Sequence, residues 1–204
     1  MRRPNKEDIT RILANHEKRC IADNPRLKSA AVLIPLFEKD GEFHILLMKR
    51  SDDVEYHKGQ ISFPGGGRDA CDLTMRDTAL REAYEEVGLN PEDAEIIGEL
   101  DDCHTATSDF RVAPFVAVIP YPYQFRTSKF EVKELLDVPL SLFLNPDNYE
   151  TRPMADSVHG GTEFFVNYAG HIIWGATAGM LRHFADLLRA DAENRLNAQA
   201  EKIT

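Results

Sequence analysis

The chain has 204 residues, 43% of them hydrophobic and 28% charged, and a formal net charge of −10. This length buries one sizeable core, so a single domain spanning 1–204 is expected, and the acidity argues against a nucleic-acid partner, which needs basic surface. Cys20, Cys71 and Cys103 are odd in number and lack Cys-x-x-Cys spacing, which argues against a disulfide framework or a cysteine zinc site and fits a reducing, cytoplasmic compartment.

No membrane association is expected. The longest apolar run, Ala30 to Phe37, is too short to span a bilayer. Arg2 and Arg3 are not followed by an apolar stretch, so no secretory signal is read. The final residues, Glu201-Lys202-Ile203-Thr204, are not a peroxisomal tripeptide.

Lys6 to Ile21 reads as an amphipathic helix with Ile9, Ile12 and Leu13 on one side. Ser29–Phe37 and Glu42–Arg50 read as strands, with Asp40-Gly41 as the hairpin turn between them. Gln60–Phe63 is a short strand leading into Pro64-Gly65-Gly66-Gly67, read as a sharp turn. Glycine there permits positive φ and close approach to a ligand. A helix follows: Thr74 caps it, Asp77 completes a capping box, and Gly88 sits where a C′ glycine belongs. Ala94–Leu100 and Arg111–Ile119 read as strands joined by a polar loop, and Glu131–Leu140 as extended or mixed. Glu163–Tyr168 and His171–Trp174 form a hairpin around Ala169-Gly170. Ala176–Leu188 is a final apolar helix, and a charged tail begins at about Arg189. Strands interleaved with helices predict an α/β fold with a mixed sheet covered on both faces.

The chemistry concentrates in the helix after the glycines. Ala79, Leu80, Ala83 and Val87 fall on one side, and Glu82, Glu85 and Glu86 cluster away from them. Side chains at i and i+4 are neighbours, so these carboxylates repel unless a hard cation sits among them. Oxygen ligands suit Mg²⁺ or Mn²⁺, and no His or Cys is grouped with them to favour zinc. Glu82 and Glu86 are the expected metal ligands, with Glu85 and a backbone carbonyl near Gly66 completing the set. Lys49, Arg50, Lys58 and Arg68 lie close enough in sequence to the glycines to bind substrate phosphates.

Gly66, Asp72, Arg81, Glu82, Ala83, Glu85, Glu86, Gly88 and Leu89 together resemble the signature box of the Nudix hydrolases, with one extra residue between Asp72 and Arg81. Leu46 to Ser51 and His57 to Gly66 resemble the coenzyme A pyrophosphatase subgroup, with Val54-Glu55 where that subgroup has Leu-Arg. Phe110–Val116, Glu131–Leu140 and Ile173–Met180 extend the likeness, which covers about residues 29–188. It implies a Nudix α/β/α sandwich and metal-dependent hydrolysis of a small-molecule pyrophosphate, first of all coenzyme A or its derivatives. Nucleoside triphosphates, nucleotide sugars and dinucleotides are the alternative substrates, and a non-catalytic nucleotide-sensing module is a third reading. The resemblance further implies that Arg81 orients a box glutamate, that Glu82 or Glu131 is the general base, and that His57 and Gln60 contact substrate. The sequence leaves a homodimer open.

Overall fold

The computed structural model describes residues 3–22, 24–53, 57–105, 109–153 and 162–201. In chain order the elements are α1 (Lys6–Ala14), β1 (Lys28–Lys39), β2 (Glu42–Arg50), β3 (Ile61–Ser62), β4 (Gly65–Gly67), α2 (Met75–Val87), β5 (Glu95–Glu99), β6 (Cys103–Thr105), β7 (Phe110–Val118), β8 (Val132–Pro139), α3 (Leu140–Leu144), β9 (Tyr149–Pro153), β10 (Thr162–Tyr168), β11 (His171–Trp174) and α4 (Gly175–Glu201).

The strand β1 is the spine. It pairs in parallel with β7 from Lys28↔Phe110 to Leu36↔Val118, and antiparallel with β2 at its far end. β4 pairs with β1, β6 and β5 with β7, and β3 and β8 with β2. Successive side chains of a strand face opposite sides of the sheet, and here both sides are buried. Ala30, Ile34 and Leu36 of β1 join one core with Ile9, Ile12 and Leu13 of α1 and Leu181, Phe184 and Leu188 of α4. Ala31, Leu33 and Phe37 join the other, with Ala79, Ala83 and Val87 of α2 and Phe115 of β7. Burial on both faces is why Ala30 to Phe37 is one continuous apolar run. The result is an α/β/α sandwich with a mixed sheet, as expected.

The cap of α2 is as the sequence implies: Thr74 Oγ1 accepts from the Asp77 N–H, Asp77 reaches back to the Thr74 N–H, and Gly88 takes φ +70°. The expected helix from Lys6 to Ile21 is corrected. It ends at Ala14, and Asn15 closes it. Beyond it, acidic side chains from the loop after β5 take up backbone donors: Arg19 N–H bonds Asp101 (2.9 Å) and Ile21 N–H bonds Asp102 (3.0 Å). These long-range partners hold the segment beyond the helix. The tail beyond Arg189 continues α4. Its charges are paired with α1, through Arg11 on Asp191 (2.9 and 2.8 Å) and Arg195 on Asp8 (2.7 Å). The polar loop after β5 contains β6, and α3 and β9 add elements the sequence pattern did not single out.

Candidate active site

The glycines after Pro64 are not a positive-φ turn. Among the described residues, the positive-φ glycines are Gly41, Gly59, Gly88, Gly170 and Gly175. Gly65–Gly67 instead form β4, in register with Val32, Ala31 and Ala30 of β1. Their need for glycine is close approach. A Cβ on Gly65 would lie 2.4 Å from the Ala31 carbonyl oxygen, and one on Gly66 2.5–2.6 Å from the Glu82 carboxylate. The short strand can therefore slide between β1 and the acidic face of α2.

That approach organises the carboxylates. Glu86 is 3% exposed; its Oε2 accepts the Gly65 N–H (2.8 Å) and its Oε1 accepts from Arg50 (3.2 Å). Burial pushes its pKa up to about 8, outweighing the Gly65 donor and the Arg50 charge, while Glu82 and Glu131 add repulsion. Glu82 is half-buried and also raised, chiefly by burial; Arg81 opposes that shift, and Glu85 and Glu131 reinforce it. Glu85 is exposed. Glu131 stands just before β8 and is half-buried. Among the described residues no side chain pairs with its carboxylate, although its charge is felt by both Glu82 and Glu86.

Arg81 is the hub of the site. It clasps Asp72 through Nε (3.0 Å) and Nη2 (2.9 Å), reaches Glu82 and Glu85 through Nη1 (2.9 Å each), and donates to the Gly67 carbonyl (2.9 Å). Asp72 is buried and also accepts from the Thr78 hydroxyl and the Asp69 N–H. The Arg81 hydrogen bonds hold its carboxyl well below the usual range. Arg81 thus hydrogen-bonds two box glutamates, and its bidentate partner is Asp72. This places Asp72 as a structural anchor and supports the alignment of the box with one extra residue before Arg81.

The carboxylates do not converge on one point. Among the described residues, no three ligand atoms of the box lie within 4.8 Å of one another. Arg81 draws Glu82 and Glu85 to one side while Arg50 and Gly65 hold Glu86, so these cations supply the counter-charge here. The donor set still fits a hard divalent ion. It is all oxygen, and among the described residues Glu82, Glu85 and Glu86 share only the two arginine charges of Arg81 and Arg50, the first of which is also taken by Asp72. Gly66 lets the Glu82 carboxylate lie against β4, since any Cβ there would overlap it.

The remaining expected contacts divide. Arg50 is at the site, and its buried Nε has no hydrogen-bond partner among the described residues. His57 Nδ1 meets Gln60 Oε1 at 3.0 Å, and the Gln60 carbonyl accepts from the Arg50 N–H (2.9 Å), so this segment is tied to the strand that carries Arg50. Lys58 is exposed, near Asp52. Arg68 braces the loop before α2, donating to the carbonyls of Asp72 (3.0 Å) and Leu73 (3.1 Å). It also lines, with Lys28, Gly67, Asp72 and Phe110, an open cleft of about 510 Å³ beside β4. Lys28 and the Gly65 N–H are features that sequence spacing did not single out. Lys28 is remote in sequence, and a backbone donor carries no residue signature. Glu55 lies outside the described residues. The block from Ile173 to Met180 has a local role: Thr177 donates to the Ile61 carbonyl (3.1 Å) and so supports β3, the strand leading to the glycines.

Comparison with known proteins agrees with this geometry. Residues 27–137 match the NUDIX domain family. The Uncharacterized Nudix hydrolase NudL of Enterobacter sp. (strain 638) is 37% identical over 158 residues, covering 78% of this chain and 81% of that protein. Its namesake from Citrobacter koseri is 35% identical over the same shares. Among solved structures, a C. elegans Ap4A hydrolase binary complex superposes with a TM-score of 0.53 at 18% identity, over 80% of this chain and 99% of that one. A MutT/nudix family protein from Enterococcus faecalis gives 0.53 at 11% identity, over 91% and 70%. These two structures support the fold alone. The acidic helix, the glycine strand beside it and the match over residues 27–137 have one common explanation: the chain belongs to the Nudix family and is a Nudix hydrolase.

Proposed function

We propose that the chain hydrolyses the pyrophosphate bond of coenzyme A or its derivatives with Mg²⁺ or Mn²⁺, releasing 3′,5′-ADP and 4′-phosphopantetheine or its acyl form. The observation that carries the substrate reading is the path from the subgroup-like segment to the site. His57 and Gln60 are bonded to each other, Gln60 is bonded to the backbone of Arg50, and Arg50 touches Glu86. This path supports a substrate held by the 57–60 segment reaching the box.

In this reading Glu82 and Glu86 hold the ion, with Glu85 and a carbonyl near Gly66 as further oxygen donors. When bound, the ion neutralises charge on the phosphoryl oxygens, lowers the pKa of a bound water and stabilises the departing phosphate. Glu131 or Glu82 removes a proton from the attacking water; Glu131 is the less committed of the two, since Arg81 already engages Glu82. Water forms the new P–O bond as the bridging P–O bond breaks, and no enzyme-bound covalent intermediate is needed. Arg50, with its unpartnered Nε, is suited to a phosphate oxygen. Lys58, Lys28 and Arg68 add positive charge around the approach, which matters in a chain of net charge −10.

The test is a competition of coenzyme A, acyl-coenzyme A, nucleoside triphosphates, nucleotide sugars and dinucleotides, with Mg²⁺ and with Mn²⁺. The expected result is the highest kcat/KM for coenzyme A or an acyl derivative. A preference for any of the other three classes overturns the substrate assignment while leaving pyrophosphate hydrolysis in place.

A further inference from the structure

We propose a second metal site, chemically distinct from the acidic box: His16, Asp101 and His183 together bind one borderline transition ion such as Zn²⁺. The three residues come from separate elements. His16 follows α1, Asp101 follows β5 and His183 lies on α4. One ligand atom from each lies within 4.8 Å of the others. His16 Nε2 is 2.7 Å from Asp101 Oδ1, and His183 Nε2 is 3.6 Å from Asp101 Oδ2. The imidazole rings approach edge to face, with centroids 5.3 Å apart and planes at 60°. α1 and α4 pack on the core opposite α2, so this cluster is separate from the box.

An independent observation points to a ligand. His183 Nε2 is buried and has no hydrogen-bond partner among the described residues. A buried polar atom left unsatisfied is costly and calls for an explanation. Here the free nitrogen stands beside a carboxylate oxygen and a second imidazole. Two imidazole nitrogens and one carboxylate oxygen are a donor set of the catalytic-zinc type, with a fourth position left for water. The same set suits Mg²⁺ poorly, since Mg²⁺ demands oxygen.

The carboxylate is fixed before any ion arrives. The Arg19 N–H donates to Asp101 Oδ1 at 2.9 Å, and neighbouring Asp102 is held by the Ile21 N–H (3.0 Å) and Lys18 Nζ (3.2 Å). These contacts hold the segment after α1, which carries His16, against the loop after β5. The competing cation is the Arg19 guanidinium, 3.3 Å from Asp101 Oδ2, on a side chain that is 85% exposed. An entering ion displaces that solvated contact and the His16–Asp101 hydrogen bond. Bound, it staples the N-terminal segment to the end of β5 and to α4, and it stabilises the folded chain by mass action.

The test uses the full chain with Mg²⁺ in excess at the box. Zn²⁺ is titrated calorimetrically, and Co²⁺ is added separately to look for the visible absorption of a tetrahedral site. The proposal expects one Zn²⁺ per chain, a rise in Tm, and retention of both in Glu86→Gln. His183→Ala and His16→Gln should each weaken Zn²⁺ binding at least about tenfold and abolish the tetrahedral Co²⁺ bands. If His183→Ala fails to fold, His16→Gln decides, since its position lies outside the helices. Zn²⁺ binding that is lost in Glu86→Gln, that is unchanged in the histidine variants, or that is absent from the parent chain overturns the proposal.

Discussion

Replacing Glu86 by Gln should make the metal-free protein more stable and the enzyme nearly inactive. Glutamine mimics the protonated acid, so the in situ pKa already contains the effects of Arg50 and Gly65. A shift from 4.5 to about 8, at about 1.4 kcal/mol per unit, means ionised Glu86 costs the fold on the order of 5 kcal/mol above pH 8. At pH 7 the same two values give roughly 3 kcal/mol. The sign follows from proton binding: the folded state holds this proton more tightly than the unfolded chain. Wild-type stability therefore falls as pH rises from about 4.5 to about 8 and then levels off, while Glu86→Gln lacks that loss. Urea unfolding in EDTA across this pH range measures the gap. Turnover of the same variant should fall at least about 100-fold, or about 2.7 kcal/mol of transition-state stabilisation. Mg²⁺ should raise the Tm of the parent but not of the variant. A Glu86→Gln protein that is less stable than wild type at pH 8 without metal would refute the electrostatic reasoning. A folded one with near-normal turnover would remove Glu86 from the site.

Three further expectations separate structural from chemical roles. Gly65→Ala drives a Cβ against the Ala31 carbonyl oxygen and should cost about 1–3 kcal/mol, whereas Gly66→Ala meets the movable Glu82 carboxylate and should lose turnover with a smaller drop in Tm; the reverse ranking in melts and rates would contradict the cradle. Arg81→Ala leaves buried Asp72 unpaired and should cost about 3 kcal/mol at neutral pH. Because the Asp72 pKa is depressed, that contribution is complete above the unfolded value of about 3.9 and is lost below it, so urea titrations should converge for parent and variant in acid. Glu131→Gln should change stability by less than about 0.5 kcal/mol, since no side chain pairs with it among the described residues. If Glu131 is the base, turnover falls by about 100-fold or more; unchanged turnover assigns the base role to Glu82.

The local signals were legible wherever a few neighbouring residues decide the outcome. The boundaries of β2, the Thr74–Asp77 cap, the Gly88 stop and the hairpin at Ala169-Gly170 all follow from short-range chemistry, and the structure agrees with each. Separation of an apolar and an acidic face on α2 also follows from periodicity alone. Signals failed where a distant partner overrode local preference. The expected helix to Ile21 stops at Ala14, where the Asn15 N–H turns back to the Arg11 carbonyl, and the chain beyond is held by Asp101 and Asp102 through the Arg19 and Ile21 N–H groups. The glycines form a strand because β1 supplies its hydrogen bonds.

Residue spacing alone picks out which residues can carry the chemistry: Glu82, Glu85 and Glu86 at helical spacing, glycines before them and a capped helix to hold them. Those features depend on contacts within a few residues, which spacing encodes directly. Their environment comes from the packed fold. It buried Glu86 beneath β4, tied Arg81 to Asp72, brought Arg50 and Glu131 to the box, and set His16, Asp101 and His183 side by side on the opposite face. Burial and long-range pairing depend on where the sheet places remote segments, and residue spacing carries no record of that placement.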